Sequence, residues 1–338
     1  MAMPAGIAAT FLMTAAGCGL LTLAWIHFAR SLRIEDQPGQ RRLHDSPTPR
    51  GGGIAIALVL VAAIAWIAKG IPPGPNLPGL AAGIGLFAAM GLLDDLLPIP
   101  AIGKFALQLI AAAVLVVSVS SGWALNWLVL LCLIVACCYV VNIWNFMDGS
   151  NGLIAVQALL IALAMAFWPG QADSLRLAAI ALAGACTGFL PFNLPKARVF
   201  LGDVGSHALG AAAFGLLLLA WHAGSISLLE SLLVGTVLLL DSGLTLARRL
   251  LAGRKVWRAH REHLYQYAVR RGHSHARVCL FYAASTAVMI LLAAVSNEIR
   301  STMVTFALFI VSWMLATLVY VGLRLHWLKP GTHREREA

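Results

Sequence analysis

The stretch NIWNFMDGSNGL, Asn142 to Leu153, sets three asparagines, one aspartate and two glycines between two long apolar runs. Polar groups are costly at the edge of hydrocarbon, so these residues imply a ligand or a tightly satisfied turn. Asn142, Asn145, Asp148 and Asn151 recur every third residue, which places them on one face if the segment is helical. Gly149 and Gly152 allow positive φ and close backbone approach. Amides both donate and accept, which suits phosphate oxygens and hard cations. A helix end followed by a helix start accounts for one Asn and one Gly, not for four polar groups.

Three further loops carry chemistry of the same kind. Asp94 and Asp95 end one apolar run, and Lys104 opens the next after a Pro98/Pro100 turn. Adjacent carboxylates stay ionised only near a cation or metal, and a lysine is a compact point charge for phosphate. Taken alone, the pair also reads as solvating carboxylates at a helix end. In FNLPKARVFLGDVGS, Gly202, Asp203, Gly205 and Ser206 precede a new apolar run. Glycines, a hydroxyl and free N–H groups at a helix start suit phosphate. An aspartate there is repelled unless a Mg²⁺ stands between; the plain alternative is a helix cap. In HREHLYQYAVRRGHSH, His260, Arg261, His263, Arg270, Arg271, His273 and His275 fit phosphate or sugar hydroxyls better than zinc, since HExxH is absent and no cysteine is near; a basic helix lying on anionic lipid is the alternative. No GxSxG elbow is present for a serine nucleophile.

These loops must be held by membrane-crossing elements. The chain is 60% hydrophobic and only 11% charged over 338 residues, with a mean hydropathy of +0.84. This predicts an all-α polytopic membrane protein of one domain. Eleven spans are predicted, near 6–28, 53–69, 77–97, 105–121, 124–141, 153–168, 174–192, 206–222, 227–248, 278–295 and 301–323. The first reads as a retained helix. The motif loops alternate with short turns such as KGIPPGPNLP, WPGQAD and SNEIR. All of the 24 lysines and arginines except Lys69, Arg176 and Arg300 fall on the motif side. The positive-inside rule makes that side cytoplasmic, with the N-terminus outside and the C-terminus cytoplasmic. The six cysteines lie in apolar segments without CxxC spacing and read as small buried hydrophobes.

Together the loops predict a cytoplasmic site at the membrane surface combining Mg²⁺, nucleotide phosphates and a lipid, the parts phosphoryl transfer needs. Five segments in order, DQPGQRRLHDSPTPRGGG, DDLLPIPAIGKF, NIWNFMDGSNGL, FNLPKARVFLGDVGS and HREHLYQ, resemble the polyprenyl-phosphate N-acetylhexosamine-1-phosphate transferases over about residues 30 to 280. The resemblance implies ten or eleven transmembrane helices in the bacterial inner membrane. It implies transfer of an amino-sugar-1-phosphate from a UDP-N-acetylhexosamine to undecaprenyl phosphate, releasing UMP, with Mg²⁺ or Mn²⁺. By position, Asp203 looks like the metal-binding aspartate and Asn145 like the asparagine sharing the metal. Asp94 and Asp95 look like the pair serving the lipid phosphate, and Lys104 like the lysine near the phosphates. His260 to His263 lie in the loop that contacts pyrophosphate and sugar. Asn151 stands where many relatives have a second aspartate. HREH is not the three-histidine run of the muramyl-pentapeptide enzyme, which disfavours that donor. No nucleic-acid partner is expected, and a homodimer is left open. A transporter or flippase is the alternative class, but the polar groups gather at one face and no repeat between halves is visible.

Overall fold

The computed structural model describes residues 3–36, 47–70, 75–97, 99–255 and 260–328. Much of the first motif, residues 256–259 of the loop after α9 and the C-terminal tail lie outside them. Twelve helices run α1 (Met3–Ser31), α2 (Gly53–Gly70), α3 (Leu77–Leu96), α4 (Ala101–Val119), α5 (Trp127–Phe146), α6 (Leu153–Ala166), α7 (Asp173–Asn193), α8 (Gly202–His222), α9 (Leu228–Leu251), α10 (Leu264–Arg270), α11 (His275–Ile299) and α12 (Thr302–Leu328). Among the described residues ten helices are long and apolar enough to cross a membrane. The predicted span 153–168 differs: α6 has 14 residues, about 21 Å at 1.5 Å per residue, against ~30 Å of hydrocarbon. Gly152, at φ +73°, starts it abruptly, and Pro169 with Gly170 follows its end. The all-α expectation also needs a small amendment. β1 (Glu35–Asp36) pairs antiparallel with β2 (Thr48–Pro49), Asp36 opposite Thr48.

Local signals explain where the helices begin. Asn76 caps α3 by accepting from Gly79 N–H at 3.0 Å, and Asn126 caps α5 from Val129 N–H at 2.9 Å. Ser227 and Glu230 form a capping box on α9. The core centres on α8, whose small residues let neighbours approach closely, as in membrane bundles generally. The Gly53 backbone of α2 lies directly against Gly205, and Gly91 of α3 lies against the backbone of Asp203 and Val204. The outer helices α1 and α12 leave Leu12, Met13, Met303 and Leu318 exposed, as a lipid-facing surface requires. The result is a rigid first turn of α8, wedged between α2 and α3 and carrying Asp203.

Candidate active site

The ends of α3, α5 and α9 and the starts of α4, α6, α8, α10 and α11 meet at one end of the bundle. Asp94 and Asp203, from α3 and α8, bring their carboxyls into hydrogen-bond contact. Two carboxyls in contact must share a proton or a cation between them. Lys104 pairs with Asp94 at 2.5 Å. Asn145 Nδ2 donates to Asp203 Oδ1 at 2.9 Å and to Ser206 Oγ at 3.2 Å. Asp95 turns the other way and accepts from Val204 N–H at 3.1 Å, tying the first turn of α8 to α3. The backbone donor that the sequence reserves for phosphate is therefore used by Asp95. Gly202, at φ +76°, is required here: a Cβ would stand 2.7 Å from Asp95 Oδ2 and 2.9 Å from the Gly51 backbone.

Beside this cluster opens a cleft of ≈ 300 Å³, walled by Arg50, Asp95, Asp148, Gly202, Asp203, Arg261 and Arg270 among others. Burial, then the charges of Asp203 and Asp95, push the Asp148 carboxyl well above the usual range. The crowding of four carboxylates and the chemistry of the donors fit Mg²⁺. Among the described residues no three His, Cys, Asp or Glu form a complete cage. Two touching carboxylates and an amide suit an ion that keeps water and substrate phosphates as its remaining ligands.

The central motif is only half helical. α5 ends at Phe146, so Asn142 and Asn145 share a helix face, whereas Asp148 and Asn151 lie in the turn that follows. The reason is docking from other elements. The Tyr265 hydroxyl donates to Phe146 O at 3.0 Å and lies so close to Gly149 that a Cβ there would clash. His275 Nδ1 meets Ser150 Oγ at 2.9 Å, and Asn193 Oδ1 accepts from Gly152 N–H at 2.6 Å. Asn151 Nδ2 donates to Pro195 O at 3.3 Å, alongside the cleft it lines. Asn142 lies deeper, exchanging hydrogen bonds with Gln108.

The last loop also divides its residues. Arg261 lines the cleft. His263 is buried, its Nδ1 3.6 Å from Asp241 Oδ1, and His260 packs on its ring at 4.9 Å between centroids. Burial, then His263 and the nearby arginines, lower the His260 pKa to about 4, so its imidazole is neutral at pH 7. Asp241 also accepts from Leu264 N–H at 2.9 Å and from the Tyr282 hydroxyl at 2.5 Å, anchoring α10. Arg248, Arg249 and Arg254 converge on Glu262. Burial opposes ionisation there, but these arginines hold its carboxyl below the usual range.

Sequence reading passed over Gln108, His207, Asp241 and Gln266, whereas Arg270 and His275, which it did single out, line the cleft. His207 is four residues after Asp203, on the same helix face, and its Nδ1 contacts Asp203 O at 2.6 Å. Gln108 and Asp241 are isolated polar residues within apolar spans, a signal that flags function or pairing by default. A second opening, an apolar groove of ≈ 550 Å³, runs along α5, α8 and α9 and is lined by Val140, Phe214, Leu217, Leu239 and Trp144, the neighbour of Asn145.

Comparison with known proteins supplies relatives. The glycosyl transferase family 4 model matches residues 77–221. A decaprenyl-phosphate N-acetylglucosaminephosphotransferase of Mycolicibacterium smegmatis is 32% identical over 292 residues, covering 72% of this chain and 70% of that protein. A Bacillus subtilis protein named probable undecaprenyl-phosphate N-acetylglucosaminyl 1-phosphate transferase is 28% identical, covering 71% of each. A phospho-N-acetylmuramoyl-pentapeptide-transferase of Heliobacterium modesticaldum is 33% identical, covering 61% of this chain and 73% of that one.

Proposed function

The chain belongs to the polyprenyl-phosphate N-acetylhexosamine-1-phosphate transferase family, within glycosyl transferase family 4, and from that we propose that it moves an N-acetylated amino-sugar-1-phosphate from a UDP-sugar to undecaprenyl phosphate. One observation carries the reading. Asp94, Lys104, Asn145 and Asp203, from four helices, converge beside a polar cleft, and Trp144, which precedes Asn145 in α5, lines an apolar groove. That juxtaposition serves a reaction between a soluble nucleotide and a lipid.

In the proposed step an oxygen of the lipid phosphate attacks the β-phosphorus of the UDP-sugar. A new P–O bond forms there, the bond to the bridging oxygen breaks, and UMP leaves with that oxygen. Lys104 and Asp94 stand where the lipid phosphate would meet the cluster: the ammonium draws in the anion, and the carboxylate orients it. Arg50, Arg261 and Arg270 line the cleft that would take the diphosphate and sugar. Asp203, with Asn145 at its side, would hold the Mg²⁺, and Mn²⁺ suits the same donors. The bound ion would neutralise the diphosphate and the charge developing on UMP. The groove would take the polyprenyl chain from the bilayer. The site would face the cytoplasm of a bacterial inner membrane, as the basic asymmetry indicates, and the product would start a cell-surface polysaccharide. His263, held against Asp241, does not form a three-histidine contact surface, which favours a UDP-N-acetylhexosamine over a muramyl-pentapeptide donor.

The test is UMP release by purified protein given undecaprenyl or decaprenyl phosphate, Mg²⁺ and a panel of UDP-sugars, with UDP-MurNAc-pentapeptide as one arm. Release that needs both the lipid phosphate and one UDP-N-acetylhexosamine is the expected result. Release with the pentapeptide donor alone would replace the donor assignment, and no release with any donor would remove the proposal.

A further inference from the structure

The end of the bundle opposite the cleft holds a second polar cavity, of ≈ 560 Å³. It is assembled from the short turns at residues 169–170, 223–227 and 300–302, which look poor in chemistry when read singly. Glu230 is the charge inside it, only 3% exposed in the first turn of α9. Its Oε2 accepts from Ser227 N–H at 2.7 Å and from Asn297 Nδ2 at 3.4 Å. Among the described residues no donor reaches Oε1. Oε1 keeps access to the cavity and is free to accept from an N–H donor that enters it. Asn297 spends its amide hydrogens on Ser225 O and Glu230, so its Oδ1 remains an acceptor without a donor among the described residues.

Arg300 lines the same cavity. It caps α11 at φ +53°, ψ +32°, a left-handed position that glycine usually fills. Its guanidinium has no partner among the described residues. Around the opening Phe167, Leu228, Ile299 and Met303 are exposed, each within two residues of a lining residue, with the polar His222, Ser227 and Glu298 between them. One cation, one half-satisfied carboxylate and an amide acceptor therefore sit at the ends of membrane-crossing helices, beside a partly apolar collar.

We propose that this cavity binds the head group of a phosphoethanolamine phospholipid. Arg300 meets the phosphate, Glu230 Oε1 and Asn297 Oδ1 accept from the primary ammonium, and the acyl chains lie against the apolar residues of the collar. A phosphoglycerol head brings no ammonium and sets its negative charge near Glu230. A choline head carries the charge but has no N–H to donate to Oε1.

The experiment is native mass spectrometry of the full chain in detergent, offered phosphoethanolamine, phosphocholine and phosphoglycerol lipids with matched acyl chains. The ethanolamine lipid should be retained about tenfold more tightly than either other lipid, the scale of one charge-assisted hydrogen bond. Glu230→Gln keeps the capping box, because glutamine also serves at that position, and should abolish the preference. Arg300→Gly suits the left-handed backbone and should weaken ethanolamine and choline lipids alike. Equal retention of all three lipids by the wild-type protein would overturn the proposal. So would an unchanged preference in Glu230→Gln, or unchanged retention of the ethanolamine and choline lipids in Arg300→Gly, each variant melting as the wild type does. Free phosphoethanolamine at millimolar concentration is the last arm. Its binding in place of lipid, with no lipid preference, would assign the cavity to a soluble ligand and overturn the lipid reading.

Discussion

Gly91→Ala isolates the positioning of Asp203 from its chemistry. Gly91 is buried in α3, three residues before Asp94, and its missing side chain leaves room for the backbone of α8. A Cβ at this position would lie 2.5 Å from Asp203 C and 2.6 Å from Val204 N. The Asp203 carbonyl oxygen is nearer still, so restoring ordinary contact at 3.4 Å moves the first turn of α8 by about 1 Å, the scale at which a misplaced catalytic group loses about 10²-fold in rate. That corresponds to about 2.7 kcal/mol on the barrier. The global cost is smaller. Overpacking costs about 1–3 kcal/mol, and alanine returns up to about 1 kcal/mol of helix propensity. The variant should therefore fold with a slightly lowered Tm and transfer sugar phosphate about 10²-fold more slowly, measured as UMP release at saturating substrates. Gly85→Ala, in the same helix, is the control, because its Cβ would meet only Val61 Cγ2 at 3.9 Å. Activity of folded Gly91→Ala within threefold of wild type would refute the reasoning that the α3–α8 contact sets the site.

Two other perturbations test the charges. Asp203→Asn keeps the shape and removes the charge; it should lose nearly all transfer and its Mg²⁺-dependent nucleotide binding by calorimetry, whereas near-normal activity would return the residue to a capping role. Asp148 has its carboxyl pKa raised by burial and by Asp203 and Asp95. Its stabilising contribution is then fully present below the ordinary value of 3.8 and is lost as pH rises through the raised value. In EDTA, Asp148→Asn, which mimics the protonated acid, should melt higher than wild type at pH 8, with the gap closing toward pH 4. A gap independent of pH would argue against carboxylate crowding.

Composition and the length of the apolar runs were enough to define a helical membrane bundle, because burying backbone in hydrocarbon leaves few alternatives. The same reading located the polar motifs in the connections between spans. Length exposed its weak point at 153–168, where an apolar run continues through Phe167 and Trp168 but the helix stops at Ala166. Residue spacing fixes which side chains share a helix face and says nothing about what that face meets. Asn142 and Asn145 sit on one face of α5, yet one is held by Gln108 and the other by Asp203. Asp94 and Asp95 are adjacent in the chain, and the helix sends one to Lys104 and the other to the backbone of α8. His263 belongs to the same short motif as Arg261 but is drawn inward by Asp241, 22 residues earlier in the chain. Each of these partners comes from another helix, so its identity depends on how the helices cross. The sequence by itself determined which residues could do chemistry and at which end of the bundle. Only the tertiary structure decided which of them face the cleft and which hold it together, because that choice is made by side-chain contacts between elements distant in the chain.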